Sequence, residues 1–246
     1  LVRSSGTERL LTGATLILAC TAALLLVAAG AGSHAGLWHF RTGFAMLKYG
    51  AWSGLAAAIT GGAALLLPFR HRTRITAILA TLAIIIGITS FAIPYTWKQT
   101  AARLPKIHDI STDTANPPAF VAILPLRKDA PNPSEYGGAT VAANQAQAYP
   151  DIKPMLLDLP PEQAFKMALD AAKRLDWKII ATAPVEGRIE ASDTTFWFGF
   201  TDDIIMRIGP AGAGSRLDIR SVSRVGLSDV GANARRIRKF FAMLKR

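Results

Sequence analysis

The sequence predicts an α-helical membrane anchor of three transmembrane helices joined to a soluble α+β domain. That domain is expected to be a four-stranded antiparallel sheet flanked by two helices and preceded by an extended proline-rich arm. Three observations predict this. Residues 10–32, 49–69 and 75–97 are apolar runs of 21 to 23 residues that hold no Lys, Arg, Asp or Glu. Ten of the 14 prolines fall in residues 104–161. Beyond Pro161 a helical apolar stripe gives way to segments of period two, and a second stripe closes the chain. The expected division is residues 1–97 for the anchor, 98–160 for the arm and 161–246 for the α+β domain.

Each apolar run, at about 1.5 Å per residue, reaches roughly 31 to 35 Å, the thickness of a hydrocarbon core. A lone backbone crosses lipid only as a helix, because every N–H and C=O must be satisfied within the segment. Residues 31–35 also fit a small-residue signal cleavage site, but the run's length and the two spans behind it favour an uncleaved helix. The loop at 70–74 carries three arginines in five residues, and Arg3 and Arg9 lie on the same side. The opposite side carries Trp38, Phe40, Phe44, Tyr49, Trp52, Tyr95 and Trp97, so residues 33–52 are expected to form an interfacial segment there. The dense basic loop outweighs the five scattered cations Arg41, Lys48, Lys98, Arg103 and Lys106. The expected location is therefore the inner (cytoplasmic) membrane, multi-pass, with the C-terminal domain in the periplasm. Gly50, Gly54, Ala58 and Gly62 form a small-residue stripe on the second span, read first as packing within the bundle. No charge lies within a span, which argues against a proton relay or ion path.

The chain carries +11 at pH 7. Residues 1–97 contribute +6 of this, and their basic residues flank the apolar runs, where they set orientation. Nucleic acid is accordingly not an expected partner. The only cysteine, Cys20, lies in the first run, so neither an intramolecular disulfide nor a cysteine metal site is available.

The arm holds apolar residues, as in 119–126, so it is expected to lie along the folded domain. Pro161 suits a first helical turn, and Phe165, Ala168, Leu169, Ala172 and Leu175 share one face. Residues 177–182 read as a strand, 184–187 as a turn and 188–200 as a long strand whose apolar face changes parity near 193–195, implying a bulge or cover on both faces. Residues 203–208 and 216–223 complete the sheet around a glycine-rich hairpin loop at 209–215. A closing helix over 229–245 turns Val230, Ala234, Ile237, Phe240, Phe241 and Leu244 inward. Helices on one sheet face make an α+β domain.

The stretch from Arg220 to Arg238 packs polar residues around a strand-to-helix junction. Together with Phe198-Gly-Phe-Thr-Asp-Asp203, Ile107-His-Asp-Ile-Ser-Thr-Asp113 and Asn116-Pro-Pro-Ala-Phe120, it resembles the bacterial and plastid family called domain of unknown function 1499 over about residues 105–245. The three-span N-terminus with Trp38-His-Phe-Arg-Thr-Gly43 resembles its membrane-anchored members. The resemblance implies an anchored envelope domain and brings no activity, cofactor or catalytic residue.

Arg220, Ser221, Ser223, Arg224, Asp229, Asn233 and Arg236 are the candidate ligand- or partner-binding residues, with Asp109, Asp113, Asp202 and Asp203 as supporting acids. Guanidinium forks near a helix start suit an anion. The competing reading is an Asp–Arg network that fixes helix and arm to the sheet. Ser228 or Asp229 is placed to cap the last helix. His108 beside Asp109 and Asp113 lacks metal-ligand spacing, and Asp202 and Asp203 alternate across a strand instead of forming a dyad. Arg235, Arg236, Arg238, Lys239, Lys245 and Arg246 on the last helix suit either solvent or anionic headgroups. No cofactor, metal or catalytic residue is expected. The bilayer is one expected partner, and an unknown protein or anionic envelope ligand is another. The leading expectation is a non-catalytic exoplasmic binding domain. The alternatives are a hydrolase of lipid or envelope phosphate using Asp109, Asp113 and His108, and a subunit of a larger membrane complex.

Overall fold

The computed structural model describes residues 6–67 and 73–245. Two compact units result, one of residues 1–100 with Phe196–Gly199 and one of residues 101–195 with 200–246.

The first unit holds α1 (Gly6–His34), α2 (Phe40–Leu66) and α3 (Arg74–Arg103). By length and composition α1 and α3 are apolar enough to cross a membrane; α2 is not among them, so the expected three spans reduce to two on this measure. Gly, Ser, Tyr and Trp dilute its apolar run. Only 22 % of the apolar window of α1 and of α3 is buried within the chain, and Leu10, Ile17, Leu24, Ile75, Ile78 and Ile85 are exposed. Such a belt suits lipid and is unfavourable in water. The interfacial segment expected at 33–52 is instead divided between the end of α1, a short turn and the first turns of α2. Of the basic loop at 70–74, residues 70–72 lie outside the described residues, as does Arg3.

The small-residue stripe of α2 faces its own neighbours. A Cβ on Gly54 would meet the Gly87 carbonyl of α3, and one on Gly50 would meet Leu25 and Ala22 of α1. The buried set is Gly43, Gly50, Gly54, Ala57, Gly61 and Ala64, so the stripe drifts off Ala58 and Gly62 as a 3.6-residue period requires. Phe196–Gly199 complete this unit. The Phe196 carbonyl lies 2.7 Å from His34 Nδ1, and the Phe198 ring lies 5.2 Å from that of Phe44.

The second unit is built on a six-stranded antiparallel sheet, not four. The order is β1 (Asp109–Ser111), β6 (Gly214–Ser223), β5 (Thr201–Ala211), β4 (Arg188–Thr194) and β3 (Lys178–Ala183), and β2 (Met155–Leu157) also pairs β6. The two extra strands come from the arm. Each is three residues long, too short for a period-two signal. The arm also folds into a 3-10 turn (Leu124–Arg127) and α4 (Gly138–Ala148), so it is less extended than expected. Gln145 of α4 meets Ser111 as a strand would: Ser111 N donates to Gln145 Oε1 at 2.9 Å, and Gln145 Nε2 donates to the Ser111 carbonyl at 2.6 Å. That side chain closes the outer edge of β1.

The strand expected over 188–200 stops at Thr194. Phe196, Phe198 and Phe200 sit in the turn that follows, so the apparent parity change is a strand end. The register shift lies elsewhere, in β3 between Ile179 and Ala181. Gly187, in a left-handed conformation (φ 64°), ends the 184–186 turn and would carry its Cβ into the Ile208 carbonyl. α5 (Pro161–Arg174) and α6 (Ala232–Leu244) cover one sheet face; Phe165, Ala168, Ile204, Met206, Ile219, Ile237 and Phe240 form the core there. α6 starts three residues later than expected, because Val230 (φ 50°) and Gly231 (φ 75°) both adopt left-handed backbone.

Candidate functional site

Directly opposed strand residues share a face. Ser192 opposes Asp203, Glu190 opposes Ile205, Ile205 opposes Arg220 and Asp203 opposes Val222. These six therefore share the face away from the α5/α6 core. Read as a solvent face, the alternation would leave Glu190 and Ser192 in water. The arm covers them instead: Phe120 and Ile123 pack on Ile205 and Val222.

The cover is polar as well as apolar. Glu190 is fully buried, and its carboxylate accepts backbone N–H bonds from Val121, Ala122 and Ile123 at 2.9–3.2 Å while pairing with Arg188. A carboxylate at the start of the Leu124–Arg127 turn takes up donors that the turn itself leaves open. Arg220 donates to both oxygens of Asp109 at 2.8 and 2.9 Å, and to the carbonyls of Pro118 and Ser134. Its guanidinium also lies over the rings of Phe120 and Tyr136. Asp203, also fully buried, accepts from Arg127 (2.7 Å), Ser192 (2.7 Å) and both Nε and Nη2 of Arg224 (2.8 Å). At the other end of the face, Asp113 and Asp218 each bind Arg207 and Arg216.

Burial pushes Asp109 above the ordinary carboxyl range, against the pull of Arg220. Burial also pushes Asp203 up, but the hydrogen bonds from Arg224, Ser192 and Arg127 outweigh it and hold this carboxyl low. Burial pushes the Tyr136 phenol up to about 12, aided by the charge on Asp109.

On the core face, Ser221 donates to Asn233 Oδ1 at 2.6 Å, and Asn233 Nδ2 reaches Ser223 Oγ and the His108 carbonyl. Arg236 binds Asp193 at 2.9 Å, Asp202 at 2.7 Å, Ser221 and Asn233. Asp229 accepts from the N–H groups of Gly231 and Asn233 and so caps α6; burial raises its pKa.

The junction expected as one surface is thus two networks separated by the sheet. Arg220, Arg224, Asp109 and Asp203 lie on the arm side, and Ser221, Ser223, Asn233, Arg236 and Asp202 on the α6 side. Asp113 joins a third cluster. Arg220, Ser221, Ser223, Asn233 and Arg236 are all buried, whereas the Arg224 side chain keeps 25 % of its exposure. Asp109, Asp113 and His108 do not converge as a hydrolytic site requires. Asp109 is buried under Arg220, Asp113 is held by Arg207 and Arg216, and His108 alternates to the opposite face from Asp109. Among the described residues, no group of three His, Cys, Asp or Glu side chains is arranged to hold a metal ion.

Glu190, Arg127, Ser192 and Gln145 belong to these networks but were not among the candidate residues; nor were Arg207 and Asp218, although strand alternation places both on the face of Asp203 and Arg220. Their signal was the apolar content of residues 119–126: a segment rich enough to pack on the sheet also buries whatever the sheet presents to it.

A family model described as Protein of unknown function (DUF1499) matches residues 109–244, more than half of the chain. No curated protein matches it.

Proposed function

We propose that this chain, which belongs to the DUF1499 family, is a membrane protein of the cell envelope. Its three N-terminal helices anchor a non-catalytic domain in the periplasm, and that domain engages a partner protein or an anionic envelope component. One observation carries the non-catalytic reading. The buried acids Asp109, Glu190, Asp202 and Asp203 are each held by arginine, so none of the four is a free general base, and the one serine hydroxyl that donates to them, Ser192 on Asp203, is buried with it. The apolar belt of α1 and α3 supports the anchor, and the basic loop at 70–74 supports a cytoplasmic N-terminus. The stripe on α2 faces α1 and α3, so it gives no support to a separate subunit contact.

Sidedness is tested with alkaline phosphatase and green fluorescent protein fused in turn to the C-terminus. Active phosphatase with a dark fluorescent fusion is expected, and the reverse pattern would refute the orientation. Catalysis is tested by offering ester, phosphomonoester and phosphodiester substrates to the purified full chain. Turnover that disappears in Asp109→Asn would overturn the non-catalytic reading. Photo-crosslinking from surface positions in intact cells then reports the protein partner.

A further inference from the structure

Among the described residues, the ion-pair clusters of the second unit are balanced in charge or carry an excess acid, with a single exception. Arg220 faces Asp109, Arg238 faces Asp151 and Lys166 faces Glu162. Arg207 and Arg216 share Asp113 and Asp218, while Arg188 and Arg236 have two acids each. Asp203 faces two guanidinium groups, Arg127 and Arg224, with no second acid in its cluster. Among the described residues this is the one ion-pair cluster with a cation in excess. Its donors are also incompletely used: Arg127 Nε is buried without a partner, and Arg224 Nη1 makes no hydrogen bond.

The excess charge has one route to solvent. Arg127 is 3 % exposed along its side chain and Asp203 not at all, whereas Arg224 is 25 % exposed. The ladder sets what lies beside it. Arg224 N donates to the Thr201 carbonyl, extending the β5–β6 pairing, and Thr201 opposes Thr194. The three side chains therefore form a row across three strands on one face. The Thr194 and Thr201 hydroxyls lie 3.0 Å apart. One donates to the other, which leaves one hydroxyl proton for a ligand.

We propose that Arg224, Thr201 and Thr194 bind a phosphate group, carried by a lipid or free in solution. Arg224 is fixed by Asp203 through Nε and Nη2, so its remaining edge is pre-oriented and presents two N–H donors. A phosphate oxygen takes those donors, and a second takes the threonine hydroxyl. The bound charge compensates the cation that Asp203 leaves unmatched. In sequence, Thr194 and Thr201 flank the turn bearing Trp197, a residue type that favours the headgroup level of a bilayer.

This site rests on the reading of the domain as a binder of an anionic component and gives that reading a place and a chemistry. The test uses the full chain in a neutral detergent and has two arms. Inorganic phosphate is titrated by calorimetry, and phosphatidylglycerol binding is followed by native mass spectrometry. Saturable binding in either arm is expected, and the arm that responds identifies the source. Thr201→Val is expected to weaken binding about tenfold, the loss of one hydrogen bond to a charged group, and Arg224→Gln, which removes the cation and two donors, by more than that. Thr201→Val keeps the Asp203 cluster intact and guards against a folding defect. Lys239→Gln, on the exposed face of α6, is expected to leave binding unchanged. The site is overturned by no saturable binding in either arm, by binding insensitive to both variants, or by equal weakening in Lys239→Gln. If photo-crosslinking still captures a partner protein while both arms are blank, this site falls and the binding-domain reading stands.

Discussion

Replacing Glu190 with Gln tests whether the arm is held to the sheet by buried charge. The carboxylate accepts from three consecutive backbone N–H groups and pairs with Arg188, with no exposure to solvent. Glutamine is nearly isosteric, so packing is preserved and the chemistry alone changes. Whichever way the amide turns, an NH2 then faces either Val121 and Ile123 or Val121, Ala122 and Arg188. If it takes the Oε2 position, the Ile123 N–H loses its acceptor. A bond to a charged acceptor is worth about 1.5–3 kcal/mol, and a donor orphaned in the interior adds its desolvation cost. The combined loss is about 3–5 kcal/mol, the range for breaking one side of a buried ion pair. That is a large share of the roughly 5–15 kcal/mol that stabilises a typical domain. The assay is denaturant unfolding of the full chain in detergent, with hydrogen exchange resolved at residues 121–123. Exposed Glu162→Gln, which breaks a solvated i,i+4 pair, is the control and should leave stability unchanged. A midpoint matching wild type, with Ala122 and Ile123 still protected, would refute the assignment.

Three further outcomes are expected. Arg220→Lys keeps the charge but cannot serve both Asp109 oxygens and the Pro118 and Ser134 carbonyls, so it costs about 2–4 kcal/mol by equilibrium denaturation. Gly54→Leu places a side chain against the Gly87 carbonyl and lowers the aggregation temperature of the detergent-solubilised chain, whereas Gly62→Leu points into open space and does not. Asp203 is held low, so its contribution is present above its unfolded value near pH 3.9 and is lost as pH falls through the lower folded value. Asp109 and Asp229 are raised and act with the opposite sign, gaining stability as pH falls through their folded values. Denaturation midpoints from pH 3 to 7 should therefore drop only below about pH 4, and Asp203→Asn should flatten that limb.

Periodicity made α5, α6 and the hairpin of β5 and β6 legible, because each presents one apolar face over ten or more residues. The face shared by Arg216, Asp218 and Arg220 followed from alternation alone, as did the neighbouring face of Asp203 and Arg207. β1 and β2 escaped because three residues carry no period, and both are strands only through pairing with β6. The ring run Phe196, Phe198, Phe200 imitated a strand, since alternation is common to a strand and to a turn with every second residue aromatic. The junction from Arg220 to Arg236 read as one polar surface, yet consecutive strand residues diverge by 180°, so its members went to opposite sides of the sheet. Whether an arginine is free or paired depends on acids up to 111 residues away, as for Arg220 and Asp109, and local sequence does not carry that.

The two faces of this sheet are sealed by different forces, and the difference has a consequence. Ile204, Met206 and Ile219 bury against α5 and α6, where any well-shaped apolar neighbour contributes. The opposite face buries Glu190, Asp203 and Arg220 under the arm, where desolvation offsets much of the Coulombic gain. Such pairs add little net stability over apolar substitutes, but each unmatched group left behind is costly. The arm is therefore held in one register, because a slip of one residue strands Glu190, Arg127 and Asp109 together. A layer sealed this way opens as a block: losing one clasp exposes the others to water, where each is solvated. Hydrogen exchange across residues 109–135 should accordingly show one common opening energy, below that of β5 and β6. A graded set of protections along the arm would instead mean that its clasps act independently, and the polar seal would then have no role in fixing register.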